Sequence, residues 1–286
     1  MNDFTTFDER LASIWRYPGG EVGVRATLTA APTRLLARVQ SSEDLVALLM
    51  YLAAVPLQVQ TVCVPYLPYA RQDRVAVPGD PFAIDVLARL LVSSGVREFV
   101  ALDAHSPASL AAFAAAGGQL ANVAAAPFLD RYLTTLRAEP GRPVWFVAPD
   151  KGARTRTTMS ANALARPDRP IGVIHCAKVR DPVTGKLQGF VVDDTDSPTA
   201  LGADPLVVIV DDICDGGGTF FGVAQALRTH YGSTPLHLWT SHGIYSRGLD
   251  ELLRTFATLG STDSFRHCHT HERQLTIPLQ TKESSR

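Results

Sequence analysis

At 286 residues and 46% hydrophobic composition, the chain has room for one large domain or two of ordinary size, with enough apolar material for real cores. That excludes a disordered polymer, and a net charge of -1 gives no electrostatic case for nucleic acid or an anionic membrane as a partner. The longest apolar run, residues 45–57, is too short to span a bilayer and is broken by Pro56. No basic stretch precedes an apolar segment at the start. Cys63, Cys176, Cys214 and Cys268 lack metal or disulfide spacing, and buried thiols in a reducing cytoplasm are expected.

In chain order, residues 1–30 read as a short helical stretch and then a hairpin turn, Tyr17-Pro18-Gly19-Gly20-Glu21, followed by alternating Val22, Val24 and Ala26. Ser41 and Asp44 make a capping-box pattern opening a helix over residues 45–55. Residues 61–64 read as a strand that runs into Tyr69-Ala70-Arg71-Gln72-Asp73-Arg74 and a loop rich in Pro and Gly. Residues 80–91 are expected to be helical, with Ile84, Leu87 and Leu91 on one face, and 99–102 a strand ending in Asp103-Ala104-His105-Ser106. This alternation predicts βαβ units and a parallel sheet.

The second half repeats the theme. Residues 144–148 read as a strand ending in Pro149-Asp150-Lys151-Gly152, residues 157–165 as a helix, and 171–177 as a strand leading into a loop with Lys178-Val179-Arg180. A turn over Asp181-Pro182 and Thr184-Gly185, a short strand over 189–193, a strand over 236–240 and Ser241-His242-Gly243 come next, and the tail beyond Gln280 reads as frayed. The fold class expected is α/β, two doubly wound units with parallel sheets, dividing into residues 1–140 and 141–286.

The most informative stretch is Val207-Val208-Ile209-Val210-Asp211-Asp212-Ile213-Cys214-Asp215-Gly216-Gly217-Gly218-Thr219. Four branched apolar residues predict a strand buried on both faces. A Gly-rich turn feeding a helix over residues 220–228 makes an anion site, because glycine lets backbone N–H groups close in and the helix dipole favours negative charge. Phosphate alone would not need Asp211 and Asp212. Carboxylates accept hydrogen bonds from a sugar diol, so the combination describes a ribose phosphate. Such a site is expected to face solvent at the strand end. A simple helix cap would need one carboxylate.

This stretch resembles the ribose 5-phosphate loop of the phosphoribosyltransferase fold, shared by phosphoribosyltransferases and phosphoribosyl pyrophosphate synthetases, and the loop alone does not separate the two. Other segments do. Val64-Pro65-Tyr66 through Tyr69-Ala70-Arg71-Gln72-Asp73-Arg74 is similar to the synthetase motif that contacts ATP. Asp103-Ala104-His105, Ala148-Pro149-Asp150, Lys178-Val179-Arg180 and Ser241-His242-Gly243 resemble further synthetase motifs in the right order.

The resemblance implies two phosphoribosyltransferase-like domains and a set of roles. Arg71, Gln72 and Asp73 would bind ATP, and Tyr17 and Glu21 would reach the ATP of a neighbouring subunit, which implies a homo-oligomer built on dimers, up to a hexamer. His105 and Asp150 would lie near the Mg2+ that bridges the ATP phosphates. Lys178 and Arg180 would stabilise charge on the transferring group. Asp211, Asp212 and Asp215 would hold the ribose, with Gly216, Gly217, Gly218 and Thr219 around its 5-phosphate. The implied reaction transfers the pyrophosphoryl group of MgATP to the anomeric hydroxyl of ribose 5-phosphate. No Walker A sequence is present.

Three segments depart from the family pattern. Tyr17-Pro18-Gly19-Gly20-Glu21 replaces Phe-Ser-Asp-Gly-Glu, Gly216 stands where Thr is usual, and residues 181–190 differ after the Lys/Arg pair. Loss of a side chain at residue 216 is expected to open space beside the phosphate. That is similar to the phage-associated branch that pyrophosphorylates ADP-ribose in NAD salvage, so ADP-ribose is the alternative to ribose 5-phosphate. A phosphoribosyltransferase and a non-catalytic regulatory homologue are further alternatives. Retention of Lys178, Arg180, His105 and the loop acids argues against the latter.

Overall fold

The fold is taken from a computed structural model, which describes residues 1–27, 31–181, 184–193, 195, 197–266 and 269–280. Pro182, Cys268 and the tail beyond Gln280, each the subject of an expectation above, lie outside the described residues. The chain forms two compact units, Met1–Ala124 with Ser264–Arg266 and the chain from Leu279, and Ala125–Asp263 with a return segment ending at Pro278.

The first unit contains β1 (Thr5–Thr6), β2 (Ala12–Arg16), β3 (Val22–Ala26), β4 (Arg34–Leu36), α1 (Ser42–Ala54), β5 (Thr61–Cys63), α2 (Ala83–Ser93), β6 (Glu98–Leu102), α3 (Ala108–Ala115) and β7 (Gln119–Val123). Its sheet runs β1-β4-β5-β6-β7, every neighbour parallel. Leu35, Val62, Phe99 and Ala101 pack with Leu48, Tyr51, Ile84, Leu87, Leu91 and Phe113. The apolar residues of α2 recur at helical spacing, so one face is buried. Ser41 caps α1 through the expected reciprocal bonds with Asp44.

Two expectations need correction here. The helical stretch near the start is a strand: β2 pairs antiparallel with β3, Ala12 opposite Ala26, and the Trp15 ring lies over Gly23, where a methyl group would meet it at 2.2 Å. Helix α2 begins at Ala83 and not at Asp80. The Asp80 carboxylate instead accepts a hydrogen bond from the Val77 N–H at 3.2 Å, closing a turn ahead of Pro81.

The second unit contains α4 (Ala126–Thr135), β8 (Val144–Ala148), α5 (Arg154–Leu164), β9 (Ile171–Arg180), β10 (Leu187–Val192), β11 (Leu206–Cys214), α6 (Gly218–Tyr231), β12 (Leu236–Gly243), α7 (Asp250–Thr255), β13 (Thr258–Thr262) and β14 (Gln274–Ile277). The division therefore falls after Ala124 and not near 140. Helix α4 belongs to the second unit, because Leu129, Tyr132 and Leu133 are buried with Phe146, Val208 and Trp239, and the Tyr132 hydroxyl lies 2.6 Å from Thr258 Oγ1.

Its sheet runs β10-β9-β8-β11-β12-β13-β14, parallel except for the antiparallel edge strand β10. The strand order reverses between β8 and β11. Open α/β sheets take ligands at such a reversal, beyond the carboxyl ends of the strands. In the first unit the order runs steadily in one direction. Strand β8 pairs with β11 only as far as Val147 opposite Ile209, while β11 continues beside β12 to Cys214 opposite Gly243. The last residues of β11 thus have one side free of β8. Among the described residues, no helix is long and apolar enough to cross a membrane.

Candidate active site

Asp211 and Asp212 occupy this overhanging end of β11. They are part of the strand, not of a loop after it, because β12 continues to pair, Asp211 opposite Thr240 and Ile213 opposite His242. Asp212 is buried, 3% exposed, which corrects the view of a site open to solvent.

Arg156, on α5, holds both acids: its Nη1 lies 3.5 Å from Asp212 Oδ1 and 3.7 Å from Asp211 Oδ1. The Asp212 N–H donates to Asp211 Oδ1 at 2.9 Å. Burial, then the adjacent Asp212 carboxyl, push Asp211 well above the usual carboxylate range, with Arg156 opposing. Two acids this close resist full ionisation. Sequence reasoning missed Arg156, which lies two residues beyond the end of the Pro149–Arg154 motif segment; helical spacing from the start of α5 was the available signal.

Asp150 sits just past β8, on the other side of the strand-order reversal. It accepts hydrogen bonds from the N–H groups of Gly152 at 2.9 Å and Ala153 at 3.2 Å, and Lys178 Nζ lies 2.5 Å from its Oδ2. Burial works against the charge of Asp150, but the Lys178 ammonium and the two amides outweigh it and hold the carboxyl below its ordinary value. A second pair, Arg154 with Asp193, ties α5 to the end of β10.

Lys178 and Arg180 were expected in a loop; they are the last alternate residues of β9 and share one face. The strand extends because β10 folds back along it, Phe190 opposite Lys178 and Leu187 opposite Arg180, with a bulge between Leu187 and Gly189. Only Lys178 is paired with Asp150. Arg180 instead donates to the Gly185 carbonyl at 3.1 Å across the β9–β10 turn.

Beyond β11 the glycine loop turns into α6. Gly217, at φ +83°, takes the left-handed conformation at the helix N-cap, and no side chain caps that end. The first amides of α6 are therefore left for a ligand. Asp215 accepts from the Ser246 hydroxyl at 2.5 Å. Thr219 is half-buried in the first turn of α6. Gly216 does not leave the expected opening: a methyl group there would lie 3.2 Å from Arg247 Nε and 3.4 Å from Arg247 Cδ.

In the first unit, Arg71 and Gln72 are exposed between β5 and α2, and Tyr69, just before them, is held at φ 65°. Asp73 pairs with Arg74 at 3.0 Å. Burial opposes its charge, yet the Ser106 hydroxyl, Arg74 and His105 outweigh this and lower its pKa. The structure therefore brings the Arg71–Arg74 motif beside His105, which comes after β6. Asp103, at φ 44°, makes the turn between them. Tyr17 and Glu21 flank the β2–β3 turn, where the Tyr17 N–H donates to the Glu21 carbonyl at 2.8 Å, and both side chains are exposed.

Among the described residues, no three His, Cys, Asp or Glu side chains gather to hold a metal ion. In the second unit the single carboxylate of Asp150 suits a Mg2+ that takes most of its ligands from nucleotide phosphates and water. His105 is a less apt donor for so hard a cation. Cys63, Cys176 and Cys214 are buried free thiols. Burial pushes Cys63 and Cys176 up to about 12, so they are inert.

An α/β unit with a strand-order reversal, a carboxylate pair and an uncapped Gly-rich helix start is of the phosphoribosyl transferase type, and the family of that description, phosphoribosyl transferase domain, matches residues 121–240. The chain is similar to proteins of the phosphoribosyl pyrophosphate synthetase family. It is 29% identical over 194 residues to the putative ribose-phosphate pyrophosphokinase 2 of Streptococcus pyogenes serotype M3, a match covering 68% of this chain and 54% of that one. It is 31% identical over 193 residues to the ribose-phosphate pyrophosphokinase of Mycoplasmopsis pulmonis, covering 66% and 53%. The chain thus spans about half the length of the curated relatives it matches. The fold is that of the phosphoribosylpyrophosphate synthetase from Mycobacterium smegmatis, at a TM-score of 0.73 and 20% identity over 93% of this chain and 85% of that one.

Proposed function

We propose that this chain is a ribose-phosphate diphosphokinase, which transfers the β,γ-pyrophosphoryl group of MgATP to the anomeric hydroxyl of ribose 5-phosphate. The hydroxyl oxygen forms a bond to the β-phosphorus as its proton leaves. The bond from that phosphorus to the α,β-bridging oxygen breaks, giving AMP and phosphoribosyl pyrophosphate. The observation that carries the reading is the set of groups around the β8–β11 reversal: the Asp211–Asp212 pair on Arg156, the Asp150–Lys178 pair and the uncapped start of α6.

On this reading Asp211, Asp212 and Asp215 accept hydrogen bonds from the ribose hydroxyls, and the amides of Gly216, Gly217, Gly218 and Thr219 face the 5-phosphate. Lys178 and Arg180 meet charge that develops on the transferring group, the main task in phosphoryl chemistry. Arg71, Gln72 and Asp73 contact ATP from the first unit, and Asp150 in the second suits the Mg2+ carried by ATP. Tyr17 and Glu21 would complete the ATP site of a neighbouring copy in a homo-oligomer. Buried free thiols support a reducing, cytoplasmic setting.

The ADP-ribose alternative needed an open phosphate end at Gly216, and the Arg247 side chain lies in that space. Ribose 5-phosphate is favoured because the relatives this chain matches are named ribose-phosphate pyrophosphokinases. The test is AMP release from ATP with ribose 5-phosphate and ADP-ribose supplied side by side. Turnover with ribose 5-phosphate supports the reading, turnover with ADP-ribose alone reverses the substrate, and AMP release with neither removes the function.

A further inference from the structure

The connection between β12 and α7 carries a charged residue that no motif singled out. After Gly243 the chain is pinned against the end of β11: the N–H groups of Ile244 and Tyr245 both donate to the Cys214 carbonyl, at 2.9 and 3.1 Å. Tyr245 takes a left-handed φ of 51°, and the Ser246 hydroxyl donates to Asp215. These bonds deliver Arg247 onto Gly216, its Nε 3.2 Å from where a methyl group at that glycine would stand. Arg247 is exposed, and no carboxylate among the described residues forms an ion pair with it.

We infer that Arg247 is a phosphate-binding, specificity-determining residue that takes the place of the side chain missing at Gly216. The inference rests on the sugar-phosphate reading of the glycine loop. A guanidinium offers a planar fork of donors that matches phosphate oxygens, and its bonds are charge-assisted. The uncapped amides of α6 supply partial positive charge on one side of the anion, and Arg247 adds a full charge from another. The acid pair on β11 meets hydroxyls and the Gly216–Arg247 end meets phosphate, so the site is polar in the same sense as a ribose 5-phosphate molecule.

Calorimetric titration of the wild type, Arg247→Ala and Arg247→Lys with ribose 5-phosphate, and separately with MgATP, tests this. Arg247→Ala should weaken ribose 5-phosphate binding tenfold or more, about 1.4 kcal/mol, and flatten its salt dependence. Arg247→Lys should fall between, and MgATP affinity and melting temperature should not move. Unchanged ribose 5-phosphate affinity in Arg247→Ala, or an equal loss for MgATP, overturns the inference while leaving the proposed activity standing. A wild type that binds neither ribose 5-phosphate nor ADP-ribose overturns both.

Discussion

The guanidinium of Arg156 stands 3.5 Å from Asp212 and 3.7 Å from Asp211, so one cation serves two adjacent carboxyls at the end of a central strand. Its side chain is 17% exposed and that of Asp212 only 5%. Removing one partner from such a cluster leaves uncompensated charge, at a cost of about 3–5 kcal/mol. Arg156→Met should therefore be strongly destabilised in urea at pH 8, by more than any surface arginine substitution. A midpoint equal to that of the wild type would dismiss the cluster as structural support.

The same pair predicts a pH dependence of known sign. Burial and Asp212 raise the folded-state pKa of Asp211 above its unfolded value near 3.8. The stabilising contribution of such an acid is complete below the unfolded pKa and is lost as pH rises through the folded one. Asp211→Asn should consequently be more stable than the wild type at pH 8, and the advantage should fade toward pH 4. Unfolding curves at several pH values decide it, and a difference that stays constant with pH would count against the assignment.

Lys178 joins stability to turnover through Asp150. The lowered pKa of Asp150 has the opposite sign: its contribution is present above the unfolded value of 3.8 and is lost as pH falls through the folded one. Lys178→Ala should lose a modest amount of stability at neutral pH. Contacts made mainly in the transition state lower kcat more than they raise KM, and losing one such donor costs about a hundred- to a thousandfold. Steady-state AMP formation should show that split for Lys178→Ala and for Arg180→Ala. Near-normal turnover in either variant would remove that residue from the reaction.

The glycine loop, the strand before it and the helix after it were legible because their signals are local: a branched apolar run, paired acids, glycines and a helical period lie within about twenty residues, close to the size of one strand–turn–helix unit. What lay beyond local pattern was missed. The extension of β9 through Lys178 and Arg180 depends on pairing with β10, and that of β11 through the acids depends on β12. The place of helix α4 in the second unit depends on Tyr132 packing against Trp239, 5.3 Å between ring centroids. Arg156 and Arg247 approach Asp212 and Gly216 only through the fold, so neither spacing nor composition marks them.

Asp212→Asn keeps the shape of the side chain while removing its charge, so the fold should persist even though the residue is buried. A hydrogen bond to a charged acceptor is worth about 1.5–3 kcal/mol, which corresponds to roughly ten- to a hundredfold in sugar affinity. Titration with ribose 5-phosphate should show that loss, with MgATP affinity unaffected. Unchanged sugar affinity would separate Asp212 from the ribose.

Gly216 and Arg247 should also be energetically coupled. A threonine at residue 216 would put its Cβ 3.2 Å from Arg247 Nε, a tight contact that an exposed and flexible side chain can relieve by moving away. The hydroxyl would then offer the phosphate a donor that the wild type lacks, while displacing the guanidinium that stands there now. Neighbours sharing one partner show interaction energies of about 0.5–3 kcal/mol in double-mutant cycles. In the wild-type background Arg247→Ala should cost about tenfold in ribose 5-phosphate affinity, or about 1.4 kcal/mol. In the Gly216→Thr background the same truncation should have little effect, since Arg247 no longer contacts the phosphate. Equal losses in the two backgrounds would mean that the residues act independently and that Gly216 is only a tolerated variant of the loop.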